Sequence, residues 1–109
     1  MSYSIELRID TGGLDPATVW EWPGMTWNLS PMYRKALGGI LLTFDKMMAD
    51  DMAAKLEAGL ADMTDPANVE AYKALNPPNG WGDYEGAVDF IARFLEACKA
   101  HPKAFVRVF

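Results

Sequence analysis

The sequence predicts one α+β domain over residues 1–109, in which a small sheet pairs the N- and C-terminal strands and three to four helices cover it. Residues 3–10 alternate apolar and polar side chains, as a strand with one buried face does. Residues 104–109 are rich in β-branched and aromatic side chains, which favour strands. Because these are the only strong strand signals, we expect the two strands to pair with each other.

A loop and a weaker strand signal follow the first strand. Glycines and a proline within residues 11–16 indicate the loop. Residues 25–29 alternate again and predict a short second strand. Three tryptophans, Trp20, Trp22 and Trp27, therefore lie in or beside an early loop.

The first helix is predicted from its capping residues. Ser30 can accept a hydrogen bond from a free backbone N–H, and Pro31 suits the first helical position. Apolar residues at helical spacing extend the pattern to Phe44, although Gly38 and Gly39 interrupt it. Close packing of another element against these two glycines is the favoured explanation, and a hinge is the alternative.

Three further helices are predicted from apolar stripes with carboxylates on the opposite side. Asp65 and Asp83 stand where they can cap the second and third of these helices. The predicted segments are residues 45–63, 66–75 and 84–100.

Composition and charge exclude several classes of function. The net charge of −5 argues against duplex nucleic acid or an anionic membrane as a partner and permits a basic protein partner. The longest apolar stretch, residues 36–44, is too short to cross a bilayer, and residues 1–8 lack the pattern of a signal peptide. The lone Cys98 precludes an internal disulfide and indicates a reducing compartment, so we expect the cytoplasm.

No catalytic, metal or cofactor site is evident. Cys98 lies on the apolar stripe of the last helix, which favours burial over use as a nucleophile. His101 stands at a helix end, where capping is the simpler role. Asp45, Asp50 and Asp51 lack the spacing of an EF-hand and read as a solvated helix face. The sequence therefore predicts a protein that is not an enzyme.

One stretch, ALNPPNGWGDYE at residues 74–85, is unusually rich in turn residues and aromatics. Its glycines match neither a dinucleotide fingerprint nor a phosphate-binding P-loop. Two prolines and an Asn-Gly pair stiffen the approach to Trp81, which we expect to project from the fold as an aromatic platform.

The aromatic residues permit two interpretations. The tryptophans fill the core under long loops, or they form a shallow site in which Arg34 supplies positive charge. Such a site would suit a planar anionic ligand or an anchor from a protein partner. The candidate binding residues are Trp20, Trp22, Trp27, Asn28, Tyr33, Arg34, Asn79, Trp81 and Tyr84.

Three segments carry a resemblance. The chain resembles a group of short bacteriophage and prophage proteins at residues 27–32, 76–85 and 96–102, most specifically in the Asn-Gly-Trp-Gly loop followed by a tyrosine. The resemblance implies a small accessory protein made in an infected bacterium and brings no activity or site residue with it.

Two functions from different classes follow from these observations. The first is a non-catalytic protein that binds a host or phage protein and inhibits host machinery or antiviral defence. The alternative is a protein that binds or sequesters a nucleotide-like small molecule. An open strand edge or an apolar loop patch would also allow a homodimer.

Overall fold

The structure, a computed structural model, describes residues 2–13, 15–78, 80 and 82–109, and of residues 2, 23 and 25–27 the backbone alone. In this part of the chain, three strands and four α-helices form the predicted α+β fold. They are β1 (Ser2–Ile9), β2 (Ala17–Thr26), α1 (Ser30–Leu37), α2 (Ala49–Thr64), α3 (Val69–Lys73), α4 (Tyr84–Ala100) and β3 (Phe105–Val108). Single turns of 3-10 helix, Trp27–Leu29 and Leu41–Phe44, stand on either side of α1.

The sheet is antiparallel and has the strand order β2-β1-β3. Ile5 lies opposite Val108 and Leu7 opposite Val106, so the two end strands pair as the sequence predicts. All four of these side chains are buried against the helices. The intervening residues of β1, such as Glu6, lie on the outer face.

β2 differs from the prediction. The segment expected to be a loop, which holds Trp20 and Trp22, is part of a ten-residue strand, and Trp27–Leu29 is a 3-10 turn rather than strand. Register shifts give β2 an extra residue at two places, one near Gly24, whose φ is +73°. These bulges break the alternation from which a strand is recognised.

α1 is shorter than predicted because the glycine pair ends it. Leu29, not Ser30, is the N-cap residue, and it forms no side-chain capping bond. Gly38 adopts a left-handed conformation with φ of +81° and donates its N–H to the carbonyl of Arg34. A Cβ on Gly38 would meet nothing within 4 Å, so close packing does not explain this glycine, whereas a Cβ on Gly39 would lie 2.8 Å from Thr43 Oγ1 and 3.5 Å from Phe44 Cζ.

The close approach between helices occurs at a different glycine. A Cβ on Gly59 of α2 would lie 2.6 Å from Leu37 Cδ2 and 3.0 Å from the carbonyl oxygen of Ala36. α1 and α2 therefore pack backbone against backbone at this point.

α2 begins four residues later than predicted because the preceding segment pairs with the sheet. Val106 donates its N–H to the carbonyl of Met47 at 2.8 Å, and Ala49 donates to Ala104 at 2.8 Å. Asp65 was predicted to cap the next helix, but α3 follows Asn68, and Asp65 instead accepts a hydrogen bond from the N–H of Ala67.

α4 matches its prediction and contacts the sheet through Phe94 and Phe90, which pack on Trp20 and Trp22 of β2. Asp83 caps it by accepting from the N–H of Gly86 at 2.7 Å. Cys98 is buried as expected, and burial raises the pKa of its thiol to about 12, which keeps it protonated at neutral pH. None of the helices in the described ranges has the length and apolar character needed to span a membrane.

Candidate functional site: a groove between β2 and α4

Two tryptophans of β2 form the wall of the site. Trp20 and Trp22 are two residues apart on one strand, so both side chains face α4. The indole of Trp20 stacks on Phe94 with ring centroids 5.2 Å apart and planes 3° apart. Trp22 meets Phe90 edge-on at 5.3 Å. Both tryptophans are half-buried, so each supports the core on one side and offers indole surface on the other.

A groove of about 500 Å³ runs between this edge of the sheet and the C-terminal half of α4. This volume lies within the range of about 300–1,000 Å³ that is typical of ligand sites. A second hollow of about 350 Å³ continues along β2 beside Thr18 and Val19. The residues that line the main groove are Trp20, Glu21, Trp22, Arg93, Glu96, Ala97, Ala100 and His101.

The charged side chains of the groove that remain unpaired are negative. Arg93 is neutralised locally, because its Nε lies 3.0 and 3.1 Å from the two carboxylate oxygens of Asp89. Glu21 and Glu96 form no ion pair with any residue that the structure describes. Glu96 is therefore left on α4 to attract a cationic group, whereas the Glu21 side chain alternates with Trp20 and Trp22 and lies on the outer face of β2, opposite Glu6.

The backbone of β2 is open on the side away from β1. Within the described ranges, β2 pairs with β1 alone. The bulges at each end and Pro23, which has no N–H, leave Trp20–Glu21–Trp22 as the regular part of this edge. An incoming strand would therefore find a short, defined stretch of free backbone groups beside the groove.

The predicted binding residues do not all meet at this groove. Asn28 and Arg34 are exposed, and neither lines a described cavity. Tyr84 is buried and donates its hydroxyl to the carbonyl of Met63 at 2.6 Å, which makes it part of the packing between helices. Tyr33 is fully buried and lines a separate, smaller cavity.

Three of the predicted binding side chains are not among those that the structure describes. Asn79, Trp81 and the side chain of Trp27 lie outside the described residues. The expectation that Trp81 projects as a platform therefore stays a prediction.

Sequence reasoning missed the polar residues of the groove. Glu21, Arg93 and Glu96 carry no local motif, and His101 was interpreted only as a capping residue. Arg93 and Glu96 are three residues apart, so they share a face of α4, and this spacing was the available signal. Placing that face beside Glu21 requires the strand assignment of β2.

Comparison of the chain with protein-family models, with curated proteins and with solved structures finds no match. Among the described residues, no three His, Cys, Asp or Glu side chains are grouped so that they could hold a metal ion. The function is therefore inferred from the groove and the strand edge themselves.

Proposed function

We propose that this protein binds a partner protein, accepting an extended segment of it along β2 in the groove beside α4. The observation that carries the proposal is that the open edge of β2 borders a groove of about 500 Å³ walled by two half-buried tryptophans. Exposed sheet edges bind peptides by adding a strand, in which main-chain hydrogen bonds give affinity and pockets for alternate side chains give specificity.

The chemistry of the groove indicates which segment would bind. Glu96 favours a lysine or arginine, and its charge agrees in sign with the net charge of −5. Trp20 and Trp22 offer flat apolar surface for an aliphatic or aromatic side chain. Ala97 and Ala100 are small, which leaves room for that side chain above α4. The proposed ligand is an extended segment in which basic and apolar residues alternate.

The setting that we propose comes from the sequence resemblance. A small acidic protein from a phage or prophage would occupy a host or phage protein in the bacterial cytoplasm and inhibit host machinery or antiviral defence. Binding is its whole activity in this proposal, and no catalytic step is needed.

A nucleotide-like anion is the weaker candidate for this groove. Arg93 is its only Lys or Arg side chain among the described lining residues, and Asp89 already pairs with it. Glu96 would repel a phosphate.

The experiment uses a ten-residue peptide of alternating lysine and valine and measures its affinity by calorimetry. We expect Glu96→Lys to raise Kd at least tenfold, because Glu96 is an exposed carboxylate of α4 that lines the groove. Glu70→Lys is the matched control, because it changes the net charge equally and Glu70 is an exposed residue of α3 outside the groove lining. Equal losses in the two variants would show unspecific charge attraction and would refute the proposal.

A second pair of peptides tests strand addition separately. N-methylation of alternate backbone amides on the edge that faces β2 removes donors without changing side-chain charge. We expect at least a tenfold weaker affinity than for the peptide methylated on the opposite edge. If both methylated peptides bind alike, the segment does not pair with β2.

A further inference from the structure

The hydrogen bonds of the sheet show which side each residue of β1 faces. In an antiparallel sheet, the N–H and C=O of one residue point to the same neighbouring strand, and consecutive residues alternate between the two sides. Ser4 of β1 exchanges both bonds with Phe109, which directly follows β3: the Ser4 N–H donates at 2.6 Å and the Phe109 N–H at 3.0 Å. The backbone groups of Ser4 therefore point to β3, and those of Ile5 and Leu7 point to β2.

This alternation also fixes which backbone groups of β2 reach its open edge. Ile5 lies opposite Trp22 and Leu7 opposite Trp20, with no register shift between the two pairs. The N–H and C=O groups of both tryptophans are therefore directed to β1. Glu21, which stands between them, directs its N–H and C=O away from β1. In the regular part of the edge, these are the two groups that an added strand can use.

The Glu21 side chain is the second feature of this position. Alternation places it on the outer face of the sheet, opposite Glu6. The carboxylate of Glu6 already accepts hydrogen bonds from Thr18 and Arg8. Glu21 is exposed and forms no ion pair with any residue that the structure describes. One residue thus offers two free backbone groups and a free negative charge.

We propose that the partner segment adds to β2 in the antiparallel direction, with a lysine or arginine directly opposite Glu21. This inference rests on the proposed function and names the register of the bound segment. The basic residue exchanges two main-chain hydrogen bonds with Glu21, and its side chain lies beside the Glu21 carboxylate, because directly opposite residues share a face. A parallel strand would divide the two bonds between two residues.

The same register defines the neighbours of the basic residue. Their side chains point to the other face, into the groove, where one lies beside Trp20 and one beside Trp22. Both are apolar, since each packs on an indole. The recognised motif is therefore apolar-basic-apolar. Glu96 on α4 attracts the charge of the whole segment, whereas Glu21 selects the position of one residue. The bulges at both ends, and Pro23 without an N–H, limit this selection to three residues.

Amide hydrogen exchange, followed by NMR on the full chain, tests the assignment of the free groups. Without a ligand, we expect the Glu21 N–H to exchange at least tenfold faster than those of Trp20 and Trp22, which are directed to β1. A saturating amount of the ten-residue peptide of alternating lysine and valine should slow the Glu21 exchange at least tenfold. A bound peptide that leaves this exchange unchanged would overturn the register.

A reciprocal change of charge tests the residue opposite Glu21. The probe is a seven-residue peptide with a central lysine between two valines and with threonine and serine at both ends, and a second peptide has glutamate in place of the lysine. We expect the wild type to bind the lysine peptide at least tenfold more tightly and Glu21→Lys to reverse this preference. Glu96→Lys should weaken binding of the lysine peptide without reversal, and Glu70→Lys should behave as the wild type. An unreversed preference in Glu21→Lys would overturn the proposal.

Single N-methyl groups on the lysine peptide decide the direction of the strand. Antiparallel pairing requires the N–H of the central lysine, whereas in a parallel strand the following valine would donate to Glu21. We expect methylation of the lysine nitrogen to weaken binding at least tenfold and methylation of that valine nitrogen to change Kd less than twofold. The opposite result would overturn antiparallel addition.

This inference and the proposed function can fail separately. If no peptide binds, both are refuted. If Glu96→Lys weakens binding as expected but the Glu21 N–H stays unprotected or the charge preference is not reversed, the groove binds a segment in another register, and this inference alone is refuted.

Discussion

The two edges of the sheet differ in how far other parts of the chain cover their backbone. At β3 the backbone is covered: Lys46 donates to the carbonyl of Val106, Val106 donates to Met47, and the carboxylate of Asp45 accepts from the N–H of Val108. At β2 the described chain provides no such cover. Natural proteins usually protect exposed edges, so the cover over β3 serves stability, and in our proposal the open edge of β2 accepts the partner.

Several features of the β2 edge limit uncontrolled pairing with other strands. Two bulges and Pro23 shorten its regular part, and Glu21 places a charge in the middle of it. These features disfavour the long, flat pairing that leads to aggregation, and they would limit the proposed segment to a short stretch in one register. Selective protection of this kind suits a binding edge better than an unprotected one.

Removing the closed edge should have the largest effect. Deletion of residues 105–109 takes away β3, two buried valines and the backbone bonds to Lys46 and Met47, so we expect no cooperative unfolding transition. Circular dichroism during heating measures this. Phe109→Ala is the control, and it should cost at most about 1 kcal/mol because the ring is half-exposed and mainly contacts two arginines. A truncated chain with an unchanged melting curve would show that β3 is not needed for the fold.

Trp20→Ala should have the next largest effect, although Trp20 belongs to the open edge. The indole stacks on Phe94 and also lies near Phe90, so we expect a loss of about 3 kcal/mol in the free energy of unfolding. Urea denaturation measures this, and Trp20→Phe should retain most of the stability. A loss below about 1 kcal/mol would place Trp20 on the surface and would remove the link between the groove wall and the core.

Asp45→Ala should weaken the cover of the closed edge without unfolding the protein. Asp45 accepts from Arg107 Nε at 3.0 Å and from the N–H of Val108 at 2.9 Å. Both side chains are partly exposed, so we expect a loss of about 1–2 kcal/mol in chemical denaturation. Asp45→Asn keeps an acceptor for Val108 and should lose about half as much. Equal losses would mean that the ion pair, not the backbone bond, secures this edge.

The features that the sequence predicted are those with a local cause. The alternation of residues 3–10 identifies β1, the apolar stripe identifies α4, and Asp83 stands where a cap is needed. The pairing of the end strands also followed, because two strong strands in a small domain have few other partners. In these places one short segment contains the physical reason for its own structure.

The missed features depend on contacts between distant segments. β2 was not recognised because its bulges are defined only by register against β1. Gly38 is an exception, because it ends α1 by a left-handed conformation and a bond to Arg34 four residues earlier, which is a local signal that we interpreted as close packing or a hinge. The groove brings together residues of β2 and of α4, such as Glu21 and Glu96, that are 75 positions apart in the sequence, and no local pattern contains that proximity. Trp20 and Trp22 were identified as candidates, but their division between core and groove was left open.

The smallest expected effect concerns Glu6, which lies on the central strand and connects the two edges across the outer face. Its carboxylate accepts from Thr18 of β2 at 2.7 Å and from Arg8 at 3.1 Å. Burial alone would raise the pKa of Glu6, but these hydrogen bonds and the charges of Arg8 and Arg107 lower it below its ordinary value of 4.5. Because the pKa is lower in the folded state, the stabilisation is present above pH 4.5 and is lost as the pH falls through the folded pKa.

We expect Glu6→Gln to lose at most about 1 kcal/mol in the free energy of unfolding from pH 5 to 7 and to approach the wild type in acid. Denaturant titrations at pH 7, 5 and 3 measure the difference, with Glu21→Gln, directly opposite on β2, as the control. A difference that persists at pH 3 would mean that the carboxylate's charge does not connect the edges and that packing of the side chain accounts for the loss.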